Sequence, residues 1–496
     1  MSDIPMSRRP RRRGDGPARL VEAEEARILS REDCDEIFRR VVAFAKGGGE
    51  TEVGISSWWQ GELRWALNHV NLASDRRDNT VLVKRRIHNG VLGGVVTNQL
   101  DDRSLEAAVR AAERDSGMSS AMGHDAGFHP ELPEYHRPEG AIWSDVTYGL
   151  STERRGQVAQ TLIAPAEAKG MLSAGYLEVR AASRAVLGNA FPELRRRSRS
   201  AMWEEPYNAW TQAQCSTTVR DKRGLGSGWA GLSSFDWSAI DAGALGARAL
   251  EKCIASQNPV ALEPGRYTVI LEPQAVADFM EFLVGKFLRR EDPEHGQSSP
   301  WLLGRDDALG LWRSKLGLKV VDERITISHD TADPALGIVA RQTEQPGKVT
   351  FIDHGVLTTL GHELETDIAM LRGAHHLRAL TGYRMSGAET SVEEMIRTTK
   401  RGLLVTRFSD VRGGPGLSTG LTRDGLWLVE NGKITKAVKN FRFTESPLFV
   451  LNSIEQLGVP VPVFRPTRSE GDVLTPAIVP PLKVRDFSFT SLIDAI

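Results

Sequence analysis

The stretch LWLVENGKIT, Leu426 to Thr435, sets the fold class of the C-terminal half. The apolar run Trp427-Leu428-Val429 is followed by Asn431-Gly432 and then Ile434, and Asn-Gly between apolar runs favours the two-residue turn of a β-hairpin. Similar short β-rich runs occur on both sides, at 267–271, 349–352 and 402–408, punctuated by Gly and Pro. Many short strands with turn residues between them predict a barrel-like or wrapped-sheet domain over 260–496. Helices at 274–287 and 392–400 interrupt it. Residues 289–305 and the Gly-rich stretch 413–420 read as loops.

Upstream the pattern changes. Ser30 and Asp33 form a capping-box signature, and Ile37, Phe38, Val41, Val42 and Ala45 share one helical face. Strand-like segments follow at 52–57, 61–69 and 80–88, then Asn89-Gly90 as another hairpin signal, a strand at 91–97 and a helix at 104–114. A related order recurs about 125 residues on, with a helix at 154–170, strands at 175–187 and 214–221, and a helix at 239–256. Gly93-Gly94-Val95-Val96-Thr97 with Asp101 is matched by Gly228-Trp229-Ala230-Gly231-Leu232 with Asp236, each ahead of a helix. The prediction is an α+β protein: a basic disordered tail over 1–22, two strand–helix regions at 28–120 and 121–258 forming a two-layer N-terminal part, and the larger β-rich domain.

Composition limits the function. Lys plus Arg is 63 and Asp plus Glu is 64, a net charge of −1 over 496 residues. No global field favours nucleic acid or anionic membrane, so neither is expected as a partner. The Arg-rich tail and Arg195-Arg196-Arg197 with Arg199, near Trp203, Tyr207 and Trp210, read as solvated surface. No run of 18 apolar residues suggests a membrane span, and no apolar segment follows the tail arginines as a secretory signal would require. The three cysteines, Cys34, Cys215 and Cys253, lack paired spacing, which fits a reducing cytoplasm.

Eleven histidines raise the question of a metal. His124, His129 and His136 sit among prolines at spacings that match no helical face. His362-Glu363 begins a partial H-E-x-x-H, but Thr366 stands where the second imidazole would be needed. His375 and His376 are neighbours and diverge by about 100° on a helix. There is no G-x-S-x-G elbow, phosphate loop or papain-like cysteine context.

The phrases LEPGRYTVILEP (Leu262 to Pro273), DHGVL (Asp353 to Leu357), RGLLVTRF (Arg401 to Phe408), LVENGKI (Leu428 to Ile434) and VKNFRFTESP (Val438 to Pro447), in this order, resemble the TldD/PmbA family of peptidase-related proteins. The resemblance implies a definite chemistry. The TldD branch is a zinc metallopeptidase with H-E-x-x-x-H on the helix after the PGRYTVILEP-like strand, the Glu activating water. The PmbA branch, also called TldE, lacks the motif and pairs with TldD. Counting from Pro273, the motif positions hold Glu281, Phe282 and Lys286, and no His occurs between His136 and His295. A late cysteine, the third ligand of the TldD type, is absent after Cys253.

The resemblance therefore implies a PmbA/TldE-like subunit with no catalytic residue and no cofactor of its own. It would bind and position peptide for a TldD-like subunit that carries the zinc, in proteolysis or peptide maturation in the cytoplasm. Segments 402–408 and 426–434 are candidate sheet edges for extended peptide. The alternative is an independent metalloenzyme tailoring a peptide-like metabolite, with a rebuilt site drawn from His354, His362, His375 and His376.

Overall fold

The computed structural model describes residues 28–46, 49–87, 93–121, 142–188, 205–285, 288, 291–294, 296–306, 308–339, 347–361, 382–414, 416–466 and 475–493. The tail over 1–22, the Asn89-Gly90 turn, the His124/His129/His136 segment and Arg195 to Trp203 fall outside them.

Helix α1 (Arg31–Phe44) starts at the expected capping box: Asp33 N donates to Ser30 Oγ at 3.2 Å, and Ser30 N donates to Asp33 Oδ2 at 2.9 Å. Six antiparallel strands follow: β1 (Glu50–Ala66), β2 (His69–Arg86), β3 (Gly93–Thr97), β4 (Leu172–Gly188), β5 (Glu205–Arg220) and β6 (Ser227–Ser234). They form a single sheet in the order β3-β2-β1-β4-β5-β6. The regions 28–120 and 121–258 are thus two halves of one sheet, joined where β1 pairs with β4.

Helices α2 (Asp102–Ala121), α3 (Thr152–Ala168) and α4 (Ala242–Ala255) cover one face with α1. The internal repeat is real at the level of packing. A Cβ on Gly93 would lie 2.4 Å from Ala112 O, and one on Gly228 would lie 2.2 Å from Ala249 O. In each half, an edge strand runs hard against the helix that follows it, and only glycine permits that approach. On this face Trp59, Leu63, Trp65, Leu177, Val179 and Ala213 are buried.

Two segments differ from expectation. The strands expected at 52–57 and 61–69 are one continuous 17-residue strand. It turns at Leu67 (φ 53°) and Asn68 (φ 66°), a two-residue turn of left-handed residues that carries no Asn-Gly signal. Strand β2 then begins at His69, eleven residues before the expected start at 80 (80 − 69), because its polar first half is exposed and shows no apolar alternation.

The C-terminal domain contains a closed five-stranded barrel. Strand β7 (Gly265–Leu271) pairs with β14 (Arg401–Gly414) in parallel and with β21 (Leu482–Leu492) antiparallel. Strand β21 pairs with β17 (Phe441–Glu445), β17 with β15 (Leu417–Glu430), and β15 with β14, which closes the ring. Strand β16 (Lys433–Ala437) extends β15 through the predicted turn, with Asn431 at φ 49° and Gly432 at φ 79°. Strand β18 (Ile454–Leu457) pairs with β21.

Beside the barrel, strands β10 (Ile327–Asp330), β11 (Lys348–Asp353), β12 (Val356–Leu357), β13 (Tyr383–Met385), β19 (Val461–Pro462) and β20 (Ala477–Val479) form a second sheet. Two loop expectations fail. Residues 289–305 include a helical turn at Glu291–Glu294 and strand β8 (Leu302–Asp306), which pairs with β9 (Leu311–Ser314). The glycines of 413–420 sit in a tight β14–β15 hairpin rather than a loop, because Gly413 pairs with Ser418 and Gly414 with Leu417. The expected edges hold only in part: residues 403–405 pair with both β7 and β15, and residues 427–430 with both β14 and β16, whereas Lys433 and Ile434 lie on β16, which pairs with β15 alone and ends the sheet.

Candidate functional site

The helix in question, α5 (Pro273–Gly285), follows β7 at the centre of the barrel wall. Glu272 links the two. Its carboxylate accepts from Lys252 Nζ at 2.6 Å and Arg248 Nη2 at 3.0 Å, fastening α4 of the N-terminal layer to the root of α5. Ala275, Val276, Ala277, Phe279, Met280, Leu283 and Val284 are all buried in one core with the barrel. Phe279 packs on Phe408, Phe443 and Phe487 from three barrel strands, with ring centroids 6.1, 5.7 and 5.7 Å away. The apolar stripe on the helix therefore faces the barrel interior.

Glu281 and Phe282 are half-buried on α5, and Lys286 lies outside the described residues. Phe282 rests on Gly413 of β14: a Cβ there would fall 2.6 Å from Phe282 Cγ. Asp278 is a half-buried carboxylate on this helix with both oxygens hydrogen-bonded. Its Oδ1 accepts from Gln274 Nε2 at 2.8 Å and its Oδ2 from the Phe408 backbone N–H at 3.0 Å. Gln274 is held in turn by Phe464, whose N–H donates to Gln274 Oε1 at 3.0 Å and whose carbonyl accepts from Gln274 Nε2 at 3.1 Å.

Desolvation pushes the Asp278 carboxyl above its usual range, against the opposing pull of the Arg407 charge and these hydrogen bonds. Nearby Tyr383 is buried, its hydroxyl has no hydrogen-bond partner, and burial raises its pKa to about 12. These groups do not fit a zinc ion of the family type. Described α5 carries no imidazole, and Asp278 is committed to Gln274 and the Phe408 amide. Among the described residues, no group of three or more His, Cys, Asp or Glu could hold a metal.

Of the alternative ligands, only His354 is described. It sits on the β11–β12 turn at φ 45°, 81% exposed, with Nδ1 2.9 Å from Asp353 Oδ1. His362, His375 and His376 lie outside the described residues. Sequence reasoning missed His329, which is fully buried on β10. Its Nδ1 meets Gly382 O at 2.8 Å, its Nε2 has no partner, and burial lowers its pKa. Nothing in the spacing around His329, Asp278 or Tyr383 marks them, because their setting is made by strands and helices distant in sequence.

No helix among the described residues is long and apolar enough to cross a membrane.

No curated protein matches the chain. Residues 264–491 match the PmbA/TldA metallopeptidase C-terminal domain. Solved structures share the fold over nearly the whole chain. One, from Thermotoga maritima and named as a candidate modulator of a DNA gyrase, is 18% identical with a TM-score of 0.70, and the match covers 92% of this chain and 100% of that one. TldE from Thermococcus kodakarensis is 16% identical with a TM-score of 0.70, over 92% and 100% of the two chains. A Bacteroides thetaiotaomicron protein, also named as a candidate gyrase modulator, is 16% identical with a TM-score of 0.71, over 93% and 100%. Residues 264–491 of the chain are thus a C-terminal domain of the PmbA/TldA metallopeptidase type.

Proposed function

We propose that this chain is the metal-free, PmbA/TldE-type subunit of a peptidase complex, binding and positioning peptide in the cytoplasm for a TldD-like partner that carries zinc. One observation carries the reading. The helix that bears H-E-x-x-x-H in the TldD branch here presents Glu281 and Phe282 at the motif positions, with Phe282 packed on Gly413. A packed phenylalanine at the glutamate position cannot activate water, so hydrolysis falls to a second subunit. Three free, buried cysteines agree with a reducing compartment.

The test is co-expression with a TldD-like chain that has the intact motif. The two should co-purify and cleave a model peptide only together. Cleavage by this chain alone would refute the assignment.

A further inference from the structure

Strand β2 is flanked on both sides over only part of its length. Strand β1 accompanies it throughout, but β3 pairs only with Val81 to Arg85. Among the described residues, 69–80 meet no second strand, which leaves an open sheet edge of about 40 Å at ~3.4 Å per residue. An edge of this length is a template for another strand.

Exposed edges are often guarded by unpaired charge. Here the Asp75 carboxylate accepts from Trp59 Nε1 at 3.0 Å and forms a salt bridge with Arg155, and Arg76 Nη2 lies 3.1 Å from Glu62 Oε2. Both charges are neutralised within the chain. Apolar side chains stand exposed at the two ends of the stretch. Leu67 at the β1–β2 turn is 66% exposed and Val96 on β3 is 62% exposed, with Val70 and Leu72 exposed beside the turn.

The two ends limit what can fill the edge. One is the turn at Leu67 and Asn68, and the other is β3, which occupies the ladder from Val81 onward. An antiparallel second copy, related by a two-fold axis normal to the sheet, fills the stretch when Ser74 lies on the axis. His69 then faces Asn79, and the turn of each copy reaches the β3 end of the other, bringing Leu67 toward Val96. Charge selects the same register. Centring on Asp75, Arg76 or Arg77 would set each against its own copy, like charge to like charge. Centring on Ser74 sets Leu72 against Arg76, Asn71 against Arg77 and Val70 against Asp78, with no like charges opposed. The seam is most regular over 72–76, because β1 and β2 shift register between Arg64 and Trp65, beside Val70 and Leu72.

We infer that β2 pairs with β2 of a second copy of this chain, two-fold about Ser74, so that the two six-stranded sheets run on into one. Such a dimer needs no zinc-bearing partner.

The test is sedimentation of the full chain, expressed alone, together with cysteine cross-linking. At about 20 μM the natural chain should sediment as a dimer. Ser74→Cys should cross-link under mild oxidation with diamide, since directly opposed residues have Cα atoms ~4.5–5.5 Å apart, within disulfide reach. Arg77→Cys should not, because its two copies would lie about 20 Å apart along the seam. The natural cysteines, Cys34, Cys215 and Cys253, are all buried. Leu72→Lys sets a cation against Arg76 of the second copy and should raise the dimer dissociation constant about tenfold. A monomer, a dimer that does not cross-link at 74, or cross-linking at 77 as complete as at 74 would overturn the inference. A chain that is monomeric alone and is held at this edge only by a TldD-like subunit would overturn self-pairing and give the edge to that partner. Should Ser74→Cys fail to fold, sedimentation of the natural chain against Leu72→Lys decides. Co-purification and peptide cleavage with a TldD-like chain are separate readouts, so either proposal can fail without the other.

Discussion

Phe282 of α5 lies so close to Gly413 of β14 that a Cβ at 413 would stand 2.6 Å from its Cγ and 2.8 Å from its Cβ. The residue at the glutamate position of the family motif is therefore part of the helix–barrel packing. Gly413→Ala should destabilise the protein by about 1–3 kcal/mol, the usual cost of overpacking. Adding Phe282→Ala should recover part of that loss, so the double variant is less destabilised than the sum of the singles. Denaturant unfolding of the four proteins checks it, and strict additivity would show the contact to be unimportant.

The repeat in the N-terminal sheet makes a second, paired prediction. Gly93→Ala and Gly228→Ala each push a methyl group into helix backbone, at Ala112 O and Ala249 O. Each should cost about 3 kcal/mol, because backbone cannot swing aside as a side chain does. A loss at only one position, measured by thermal unfolding, would break the equivalence of the two halves.

This equivalence was legible in the sequence because strand-edge glycines and helix alternation are local signals. The Asn431-Gly432 turn was legible for the same reason. The start of β2 was not: its exposed polar half has no period to read. The barrel could be foreseen as a class, but its closure could not. Closure depends on β14 meeting β7 in parallel across more than 130 residues, a pairing that no turn residue announces. The edges expected at 403–405 and 427–430 failed on that point, since closure leaves these stretches paired on both sides, while Lys433 and Ile434 stay on the edge strand β16. At the candidate site, Phe282 stood out only against the family motif, whereas Asp278, Tyr383 and His329 acquire their meaning from contacts made on folding.

Asp278 predicts a pH dependence of one sign. Its carboxyl is raised above 3.8, so the folded state holds the proton to higher pH than the unfolded chain does. Its contribution is fully present below the unfolded value and declines as pH rises through the folded one. The stability of the natural chain minus that of Asp278→Asn should therefore fall as pH rises from about 4. A difference that rises or stays flat would contradict desolvation as the dominant influence on this group.

Asp322 predicts the opposite sign. Its carboxylate accepts from Arg324 Nε at 2.9 Å and Nη2 at 2.8 Å, and this pair holds its pKa near 2, below 3.8. The contribution is present above the unfolded value and lost as pH falls through the folded one. The advantage of the natural chain over Asp322→Asn should shrink between pH 4 and pH 2, as followed by acid unfolding. An advantage unchanged across that window would rule the pair out as its source.

The metal content of the purified chain, measured by plasma mass spectrometry after expression without any partner and in zinc-supplemented medium, bears most directly on the assignment. The account predicts zinc far below one ion per chain, removed by brief dialysis against a weak chelator. One tightly retained zinc ion per chain, lost only together with the folded structure, would contradict it.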